Sequence, residues 1–348
     1  MSHHCLEIIS SNGHASIQDL GRLNAQHLGF SAGGAADEFA FLNANSLIAT
    51  EQNLDDKTPP QSHCAAIEIT LGQIAFKAHA ACTIAITGAD CQAKINDLLI
   101  DNWQCHNLKA GDVLDFSLPK TGLHSYIAVL GGFTCQVSQQ PWLGSFSQTK
   151  NELALGFTGA ALTVGSKLYF PLAAQALFKS TPLVITPSNK APTQPRLFYA
   201  SHKLTLRFIA SKLFLQMSLA QQQAFLTTEY VISPDSNRMG YRLKVKQQAS
   251  STAKQKILSE PLRKQCLLSM PVVYGMIQLP ANEQPIVLMK ERQTMGGYPV
   301  LGTVMQTDLF RLSQMRPGQQ VSFTVISHQQ AQQQLRAFYQ KLHYWAGS

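Results

Sequence analysis

The sequence lacks an uninterrupted apolar run of about 18 residues, the length that a membrane-spanning helix requires. Its first ten residues, MSHHCLEIIS, contain neither the basic segment nor the apolar core of a secretory signal. Charged residues make up 14% and apolar residues 45% of the 348 positions, a balance typical of a packed globular protein. We therefore expect a cytoplasmic protein with no membrane partner.

Cysteine spacing gives no indication of a disulfide framework or a zinc site. The seven cysteines are odd in number, and no two are spaced as CxxC or CxxxC. The pair His3-His4 has no nearby carboxylate or second histidine pair to complete a metal site, which favours a polar terminus. Buried, reduced thiols and no metal are the expectation.

The charge is unevenly divided between the two halves of the chain. Residues 1–192 carry ten Lys and Arg against fourteen Asp and Glu, a net charge of −4, whereas residues 193–348 carry eighteen against six, a net charge of +12. A basic half attracts anions, but the helix-turn-helix, RNP and zinc-finger patterns of nucleic-acid binding are absent. An anionic small substrate, a nucleotide, an acidic partner protein or a solvated basic face each explain the asymmetry, and we expect no nucleic acid.

Short alternating or β-branched runs recur along the whole chain. They are CLEII, AIEIT, QIAFK, CTIAIT, VLDFSL and SYIAVL in the first half and LTLRFIA, LKVK, GMIQL, PIVLM and VSFTVIS in the second. Gly, Pro and Asn/Asp clusters separate them, as in antiparallel sandwiches and barrels. We predict a mainly β protein with helices over Ala36–Ile48, from Ala220, after Thr307 and along QQAQQQLRAFYQKLHYW near the end. The Pro-rich stretch TPSNKAPTQP predicts two domains, 1–190 and 191–348.

The first polar segment is SIQDLGRLNAQHLGFSAGGAADEF. Gln18, Asp19 and Arg22 lie in a predicted turn, and a glycine pair precedes the helix that bears Asp37. Backbone amides at such a helix start form an anion site, which a carboxylate or phosphate can occupy. The alternative is that Asp19 and Arg22 pair to fix the turn and Asp37 caps the helix.

Two further segments place polar residues among strands. In SPDSNRMGYRLK, Arg238 and Arg242 suit recognition of a carboxylate or phosphate, but period-two alternation puts Tyr241 on the opposite face. Solvent-facing arginines are the alternative. In YGMIQLPANEQPIVLM, Gln278 interrupts an apolar strand, and a ligand or an ordinary cross-strand hydrogen bond can satisfy its amide.

The fourth segment, ERQTMGGYPV, has two adjacent glycines but matches neither the P-loop nor the dinucleotide-binding motif, because a β-like run follows the glycines. We predict a hairpin-like loop between two strands, with positive φ at Gly296 and Gly297 and backbone exposed for close approach. A polar rim surrounds it, formed by Glu291, Arg292, Gln293, Thr294 and Tyr298.

Taken in order, these segments resemble the biotin-dependent carboxyltransferase family, together with AIEITLG, ITGADCQA, YIAVLGG and LGSFS. That family includes allophanate hydrolase subunit 2, the carboxyltransferase segment of urea carboxylase, the C-type subunit of bacterial 5-oxoprolinase and an antagonist of a sporulation kinase inhibitor. The resemblance runs from about Leu6 to Phe323 and implies two β-barrel-like domains, the second cyclophilin-like.

Among the family's functions, the resemblance favours a subunit of an ATP-dependent 5-oxoprolinase, because the chain has no biotin-carrier Met-Lys-Met and no fused carboxylase. It implies a B-type sister subunit, a third subunit of the A type, ATP at the level of the complex and a small anionic amide as substrate. The alternatives are a regulatory protein that antagonises a sensor-kinase inhibitor, and a carboxyltransferase subunit that works with biotin in a urea carboxylase or allophanate hydrolase system.

The resemblance also implies site residues by position. The catalytic candidates are Asp19, Asp37, Arg238 and Thr294, and the substrate-binding candidates are Gln18, Arg22, Asn237, Tyr241, Gln278, Gln293, Gly296, Gly297 and Tyr298. Arg22 or Arg238 would hold a carboxylate or phosphate, Asp19 or Asp37 would orient substrate or accept a proton, and the glycine loop would offer amides to an oxyanion. Three positions depart from the family pattern: Glu291 replaces Asp, Ala160 replaces Arg and Ser211 replaces Gly.

Overall fold

The computed structural model describes residues 4–51, 64–171, 199, 202–246 and 268–341. The chain divides into two compact units, the first formed mainly by residues 1–25 and 32–199 and the second by residues 26–31 and 200–340. The short segment Gln26–Ser31 thus belongs to the second unit although its flanks belong to the first. The domain boundary predicted at residues 190/191 lies outside the described residues.

The first unit contains two β-sheets around one apolar core. Its strands run in the order β11-β1-β4-β9-β6-β7 in a six-stranded sheet and β2-β3-β10-β5-β8 in a five-stranded sheet. The strands are β1 Cys5–Ser11, β2 His14–Gln18, β3 Ala66–Thr70, β4 Ile74–Ala78, β5 Cys82–Asp90, β6 Lys94–Ile95, β7 Leu98–Leu99, β8 Gln104–Leu108, β9 Val113–Phe116, β10 Thr121–Val129 and β11 Lys167–Tyr169, with helices α1 Glu38–Glu51 and α2 Lys150–Ala154.

Alternation along β3 explains how this core is arranged. Ile67 and Ile69 enter the core shared by the two sheets, whereas Glu68 between them is buried on the other face. Helix α1 covers that other face, since Tyr126 of β10 packs edge-on against Phe41 of α1 with ring centroids 6.4 Å apart. A polar cluster can therefore lie beneath the helix without entering the apolar core.

The second unit is a closed barrel with strand order β12-β19-β16-β17-β14-β13-β20. It closes where β12 runs parallel to β20, from Lys203↔Gln320 to Phe208↔Val325. Aromatic rings of Phe208, Phe225 and Phe323 pack against one another inside it. The elements are β12 Lys203–Ala210, β13 Tyr230–Ile232, β14 Gly240–Val245, β15 Met270–Pro271, β16 Met276–Gln278, β17 Ile286–Leu288, β18 Met295–Gly296, β19 Val300–Val304, β20 Gln320–Val325, α3 Lys212–Gln216, α4 Leu219–Thr227, α5 Gln306–Ser313 and α6 His328–Lys341.

The predicted mainly β architecture with a barrel is confirmed, and each of the eleven predicted β runs contains a strand. Helix α1 begins two residues later and ends three residues later than predicted, α4 and α5 coincide with the predicted short helices, and α6 covers the predicted terminal helix as far as Lys341. The rest of that predicted helix lies outside the described residues. In the described part of the chain, no helix is long and apolar enough to cross a membrane.

Candidate functional site

The segment ERQTMGGYPV is a crossover connection, and the predicted hairpin is wrong. Strands β17 and β19, which it joins, are not neighbours, because each pairs antiparallel with β16 between them. They therefore run parallel to each other, and parallel strands require a connection that passes across the sheet instead of a tight turn. Residues 289–299 make that crossing, and they carry the segment past Gln278 on β16.

The predicted positive φ at the glycines is also wrong, whereas the predicted close approach to their backbone is found at Gly296. Neither Gly296 nor Gly297 has a positive φ. A Cβ atom on Gly296 would instead lie 2.6 Å from Nε2 of Gln278, 3.0 Å from Cγ1 of Val272 and 3.5 Å from Nε2 of Gln293. Glycine is needed at position 296 because two side-chain amides approach its Cα, so these predicted residues do come together.

Gln278 is the most unusual member of this cluster. The residue is 1% exposed, and its Nε2 has no hydrogen-bond acceptor among the described residues. A buried amide donor without an acceptor costs about 1–3 kcal/mol of stability. The cross-strand hydrogen bond considered from the sequence is therefore not formed by this nitrogen, and a donor remains for another group to use.

Arg292 lies beside the same residues and is held by neutral groups. Its Nη2 donates to Oε1 of Gln26 at 3.0 Å, and its Nε is 3.5 Å from the carbonyl oxygen of Val272. Gln26 is fixed in turn, because its Nε2 donates to the carbonyl oxygens of Val272 at 2.6 Å and Thr294 at 3.3 Å. Arg292 is 8% exposed, and burial lowers the pKa of its guanidinium.

Arg238 and Glu291 form an ion pair that joins two of the predicted motifs. Nε of Arg238 donates to Oε1 of Glu291 at 2.5 Å, and the amide of Glu291 donates to the carbonyl oxygen of Arg238 at 2.8 Å. Both side chains are mostly buried, with 14% and 10% of their areas exposed. Glutamate at position 291 thus keeps a carboxylate partner for Arg238 despite departing from the family pattern.

The remaining predicted residues of the second unit have other surroundings. Asn237 is exposed and accepts the amide of Met239 in a tight turn, and Tyr298 is half-exposed. Tyr241 is buried in the barrel, where its hydroxyl donates to the carbonyl oxygen of Ser313, while Arg242 faces outward as alternation predicts. Thr294 is half-buried beside the cluster. A part in substrate binding or catalysis stays a prediction for Asn237, Tyr241, Thr294, Gly297 and Tyr298, a set that does not include Arg242.

In the first unit, Asp19 holds a turn by accepting four hydrogen bonds. Its Oδ1 accepts the amide of Gly21 at 2.7 Å and the hydroxyls of Ser145 at 2.6 Å and Ser147 at 2.5 Å, and its Oδ2 accepts the amide of Phe146 at 2.7 Å. The residue is 6% exposed. These four donors occupy its lone pairs, so the geometry assigns Asp19 a structural task, and its proposed proton transfer stays a prediction.

Arg22 and Gln18 are attached to the same stretch of chain. Nη2 of Arg22 donates to the carbonyl oxygen of Ser147 at 2.5 Å, and its guanidinium carbon lies 4.9 Å from the ring centroid of Trp142. Gln18 donates from Nε2 to the carbonyl oxygen of Gln148 at 2.6 Å, while its buried Oε1 has no donor among the described residues. Residues 145–148 therefore bind Gln18, Asp19 and Arg22, although more than a hundred positions of sequence separate the two segments.

Asp37 is the N-cap of α1, as the alternative interpretation has it. Its Oδ1 accepts the amide of Ala40 at 3.2 Å, and its Oδ2 accepts the hydroxyl of Tyr199 at 2.5 Å. The anion expected at this helix start is supplied by the chain itself, because Oε2 of Glu68 accepts the amide of Ala36 at 2.8 Å. The hydroxyl of Tyr126 accepts the amide of Asp37 and donates to Glu68 at 2.7 Å.

The two tyrosines of this cluster remain protonated. Burial, followed by the charges of Glu68 and Asp37, raises the pKa of Tyr126 well above its ordinary value, and burial and Asp37 do the same for the pKa of Tyr199. Both hydroxyls therefore serve as donors to the carboxylates. Glu68 was visible in the sequence as a charge inside the apolar run AIEIT, but nothing local indicated that it lies under α1.

The two other departures from the family pattern lie at Ser211 and Ala160, and nothing in the structure explains the alanine. Ser211 caps α3 by accepting the amide of Phe214 at 3.1 Å, and its hydroxyl donates to the carbonyl oxygen of Val300 at 2.7 Å. Ala160 contributes its backbone, since its carbonyl oxygen accepts Nε2 of Gln148 at 2.9 Å. Neither position belongs to the cluster around Gln278.

A family model described as "Carboxyltransferase domain, subdomain A and B" matches residues 28–325. This chain belongs to that carboxyltransferase-domain family. It is 31% identical over 327 residues to the C subunit of 5-oxoprolinase from Escherichia coli (strain K12) and 28% identical over 326 residues to the protein of that name from Haemophilus influenzae. Each match covers 94% of this chain and 93% of the relative.

The chain also resembles parts of larger proteins at lower identity. "Urea amidolyase" of Saccharomyces cerevisiae is 23% identical over 93% of this chain but only 17% of its own length. The solved K. lactis urea amidolyase superposes with a TM-score of 0.79 at 19% identity, over 100% of this chain and 20% of that one. TTHA0988 gives a TM-score of 0.67 at 22% identity, over 93% of this chain and 56% of its own. These structures establish the shared fold.

Proposed function

We propose that the chain is the C-type subunit of a 5-oxoprolinase, which acts with sister subunits of the B and A types to open 5-oxoproline to glutamate with hydrolysis of ATP. The observation that carries this proposal is the 31% identity to the C subunit of a 5-oxoprolinase, which extends over nearly the whole of both chains. The relatives named for urea chemistry are 23–24% identical. The family alone does not distinguish the two reactions, and the higher identity supports the first.

The cluster in the second unit supports a small amide or acid as substrate. Gln278 presents a buried amide donor, and donors of this kind bind carbonyl or carboxylate oxygens. The neighbouring Arg292 supplies positive charge within a unit whose sequence is strongly basic. A lactam that carries a carboxylate offers both kinds of acceptor oxygen.

Co-expression with the sister subunits tests the proposed reaction. We expect 5-oxoproline-dependent release of ADP and glutamate from the joint preparation. Replacement of 5-oxoproline by urea, with a biotin carboxylase and carrier supplied, should give no turnover. The proposal fails if the joint preparation releases no ADP with 5-oxoproline or if urea is the better substrate.

A matched pair of threonine variants tests one predicted catalytic residue. Thr294→Val removes a hydroxyl beside the cluster, whereas Thr205→Val removes an exposed hydroxyl on β12 that contacts Ser322. We expect Thr294→Val to lower kcat and Thr205→Val to leave it unchanged. Equal rates for the two variants would remove Thr294 from the catalytic set.

A further inference from the structure

The three arginines closest to the predicted motifs differ in what holds them. Arg238 is paired with the carboxylate of Glu291. Arg22 donates to the carbonyl oxygen of Ser147 and lies over the ring of Trp142. Among the described residues, Arg292 contacts the neutral oxygens of Gln26 and Val272 and lies near Tyr274, and no Asp or Glu pairs with it.

The positive charge of Arg292 has no negative charge beside it in the described ranges of the chain. Arg292 is more than nine-tenths buried, and burial lowers the pKa of its guanidinium, with no carboxylate beside it among the residues that the structure describes. A buried cation without a counter-charge is strongly unfavourable, whereas one that meets an anion gains a charge-assisted hydrogen bond. The chain fixes the side chain in place with Gln26 and leaves its charge for another group.

A second, independent observation lies next to it. Nε2 of Gln278 is buried without an acceptor among the described residues, and Gly296 is the point to which it and Nε2 of Gln293 converge. Val272 joins the two observations, because its carbonyl oxygen is 3.5 Å from Nε of Arg292 and its side chain packs at Gly296. The guanidinium of Arg292 and the side-chain amides of Gln278 and Gln293 therefore lie close to the backbone at Val272 and Gly296.

We propose that Arg292, Gln278 and Gln293 form a binding site for the carboxylate of a small organic acid. A carboxylate has two planar acceptor oxygens, which suit one guanidinium and flanking amide donors, and its single charge neutralises the single charge of Arg292. A phosphate carries more charge than this one buried arginine offsets. The site reassigns anion binding from Arg22 and Arg238, and the identification of its ligand with 5-oxoproline rests on the proposed function.

Binding to the purified full-length chain, followed by isothermal titration calorimetry, tests the proposal. The probes are 5-oxoproline, its uncharged carboxamide, cyclopentanecarboxylate, which has a carboxylate but no lactam, and inorganic phosphate. We expect the two carboxylates to bind and the carboxamide to bind at least about tenfold more weakly, since a hydrogen bond to a charged group is replaced by a neutral one.

Arg292→Gln should weaken binding of both carboxylates by about tenfold to a hundredfold, the loss expected when one charge-assisted contact is removed. Arg242→Gln is the matched control, because it removes the same charge from an exposed position of the same barrel, and it should leave the affinity unchanged. Gln278→Leu, which alters no charge and is expected to fold, should also weaken binding and guards against misfolding of Arg292→Gln.

Several results would overturn the proposal. They are equal affinity of Arg292→Gln and wild type for the carboxylates, tighter binding of phosphate than of either carboxylate, and no carboxylate binding by the wild-type chain. If cyclopentanecarboxylate binds through Arg292 while the complete complex fails to hydrolyse 5-oxoproline, the site stands and the proposed function falls.

Discussion

Removal of the Asp19 carboxylate should destabilise the first unit severely, because four buried donors converge on it. Asp19→Ala would leave the amides of Gly21 and Phe146 and the hydroxyls of Ser145 and Ser147 without their acceptor. Each unsatisfied buried donor costs about 1–3 kcal/mol, although the hydroxyls can rotate and water can enter. We expect a loss of about 3–5 kcal/mol in the free energy of unfolding, comparable to breaking a buried charged pair.

Asp19→Asn separates charge and hydrogen bonding from side-chain volume. Its Oδ1 can still accept the three donors that meet Oδ1 of the aspartate, but its amide nitrogen faces the amide of Phe146, so a loss of about 1.5–3 kcal/mol is expected. The assay is guanidinium unfolding of both variants beside Asp101→Asn, an exposed control in the same unit. A loss below about 1 kcal/mol for Asp19→Ala would refute the assignment of Asp19 to the turn.

Three further predictions concern glycines, the buried amide and the tyrosines. Gly13→Ala should lower the free energy of unfolding by about 3–5 kcal/mol, since its Cβ would lie 1.9 Å from the carbonyl oxygen of Gly72. Gly296→Ala should cost roughly 1 kcal/mol and mainly weaken ligand binding, because its Cβ meets the end of the flexible Gln278 side chain. Thermal unfolding of the two variants measures the difference. Gln278→Leu should leave the unfolding midpoint equal or higher, because the buried nitrogen has no acceptor to lose among the described residues. The folded-state pKa of Tyr126 is raised well above 10.0, so above about pH 10 only the unfolded chain loses this proton. The free energy of unfolding should therefore fall by up to about 1.4 kcal/mol per pH unit. Tyr126→Phe should reduce this slope in unfolding curves measured at about pH 9 to 11.

The sequence predicted the residues of the candidate site better than it predicted the local geometry. Gln278 stood out as a polar residue in an apolar strand, and the glycine pair at 296–297 stood out beside it. The hairpin prediction failed because PIVLM and VLGTVM look like adjacent strands, and only the pairing of both with β16 shows that they are not. The glycine therefore accommodates a neighbouring amide, a requirement that no local dihedral rule contains.

The choice among the arginines depended on contacts that a sequence does not display. Arg238 and Glu291 are 53 positions apart, and Arg292 and Gln26 are 266 apart, yet these contacts decide which cation is neutralised and which is not. Ion pairing depends on spatial distance and burial, and neither can be obtained from spacing along the chain. Glu68, Tyr126 and Tyr199 could not be predicted from the sequence for the same reason, because they come together only at the N-terminus of α1.

Local properties and the family could be obtained from the residues without the fold. Alternation of apolar residues located eleven strands, since side chains of a strand alternate between faces whatever the rest of the chain does. The ordered motifs indicated the carboxyltransferase-domain family, and the family model then established it. Only the folded chain shows that Asp19 and Asp37 accept hydrogen bonds from their own turn and helix. It also shows that, within the described ranges, Arg292 has no carboxylate partner and Nε2 of Gln278 has no acceptor. Whether a buried polar group is satisfied depends on neighbours that only the folded chain brings together.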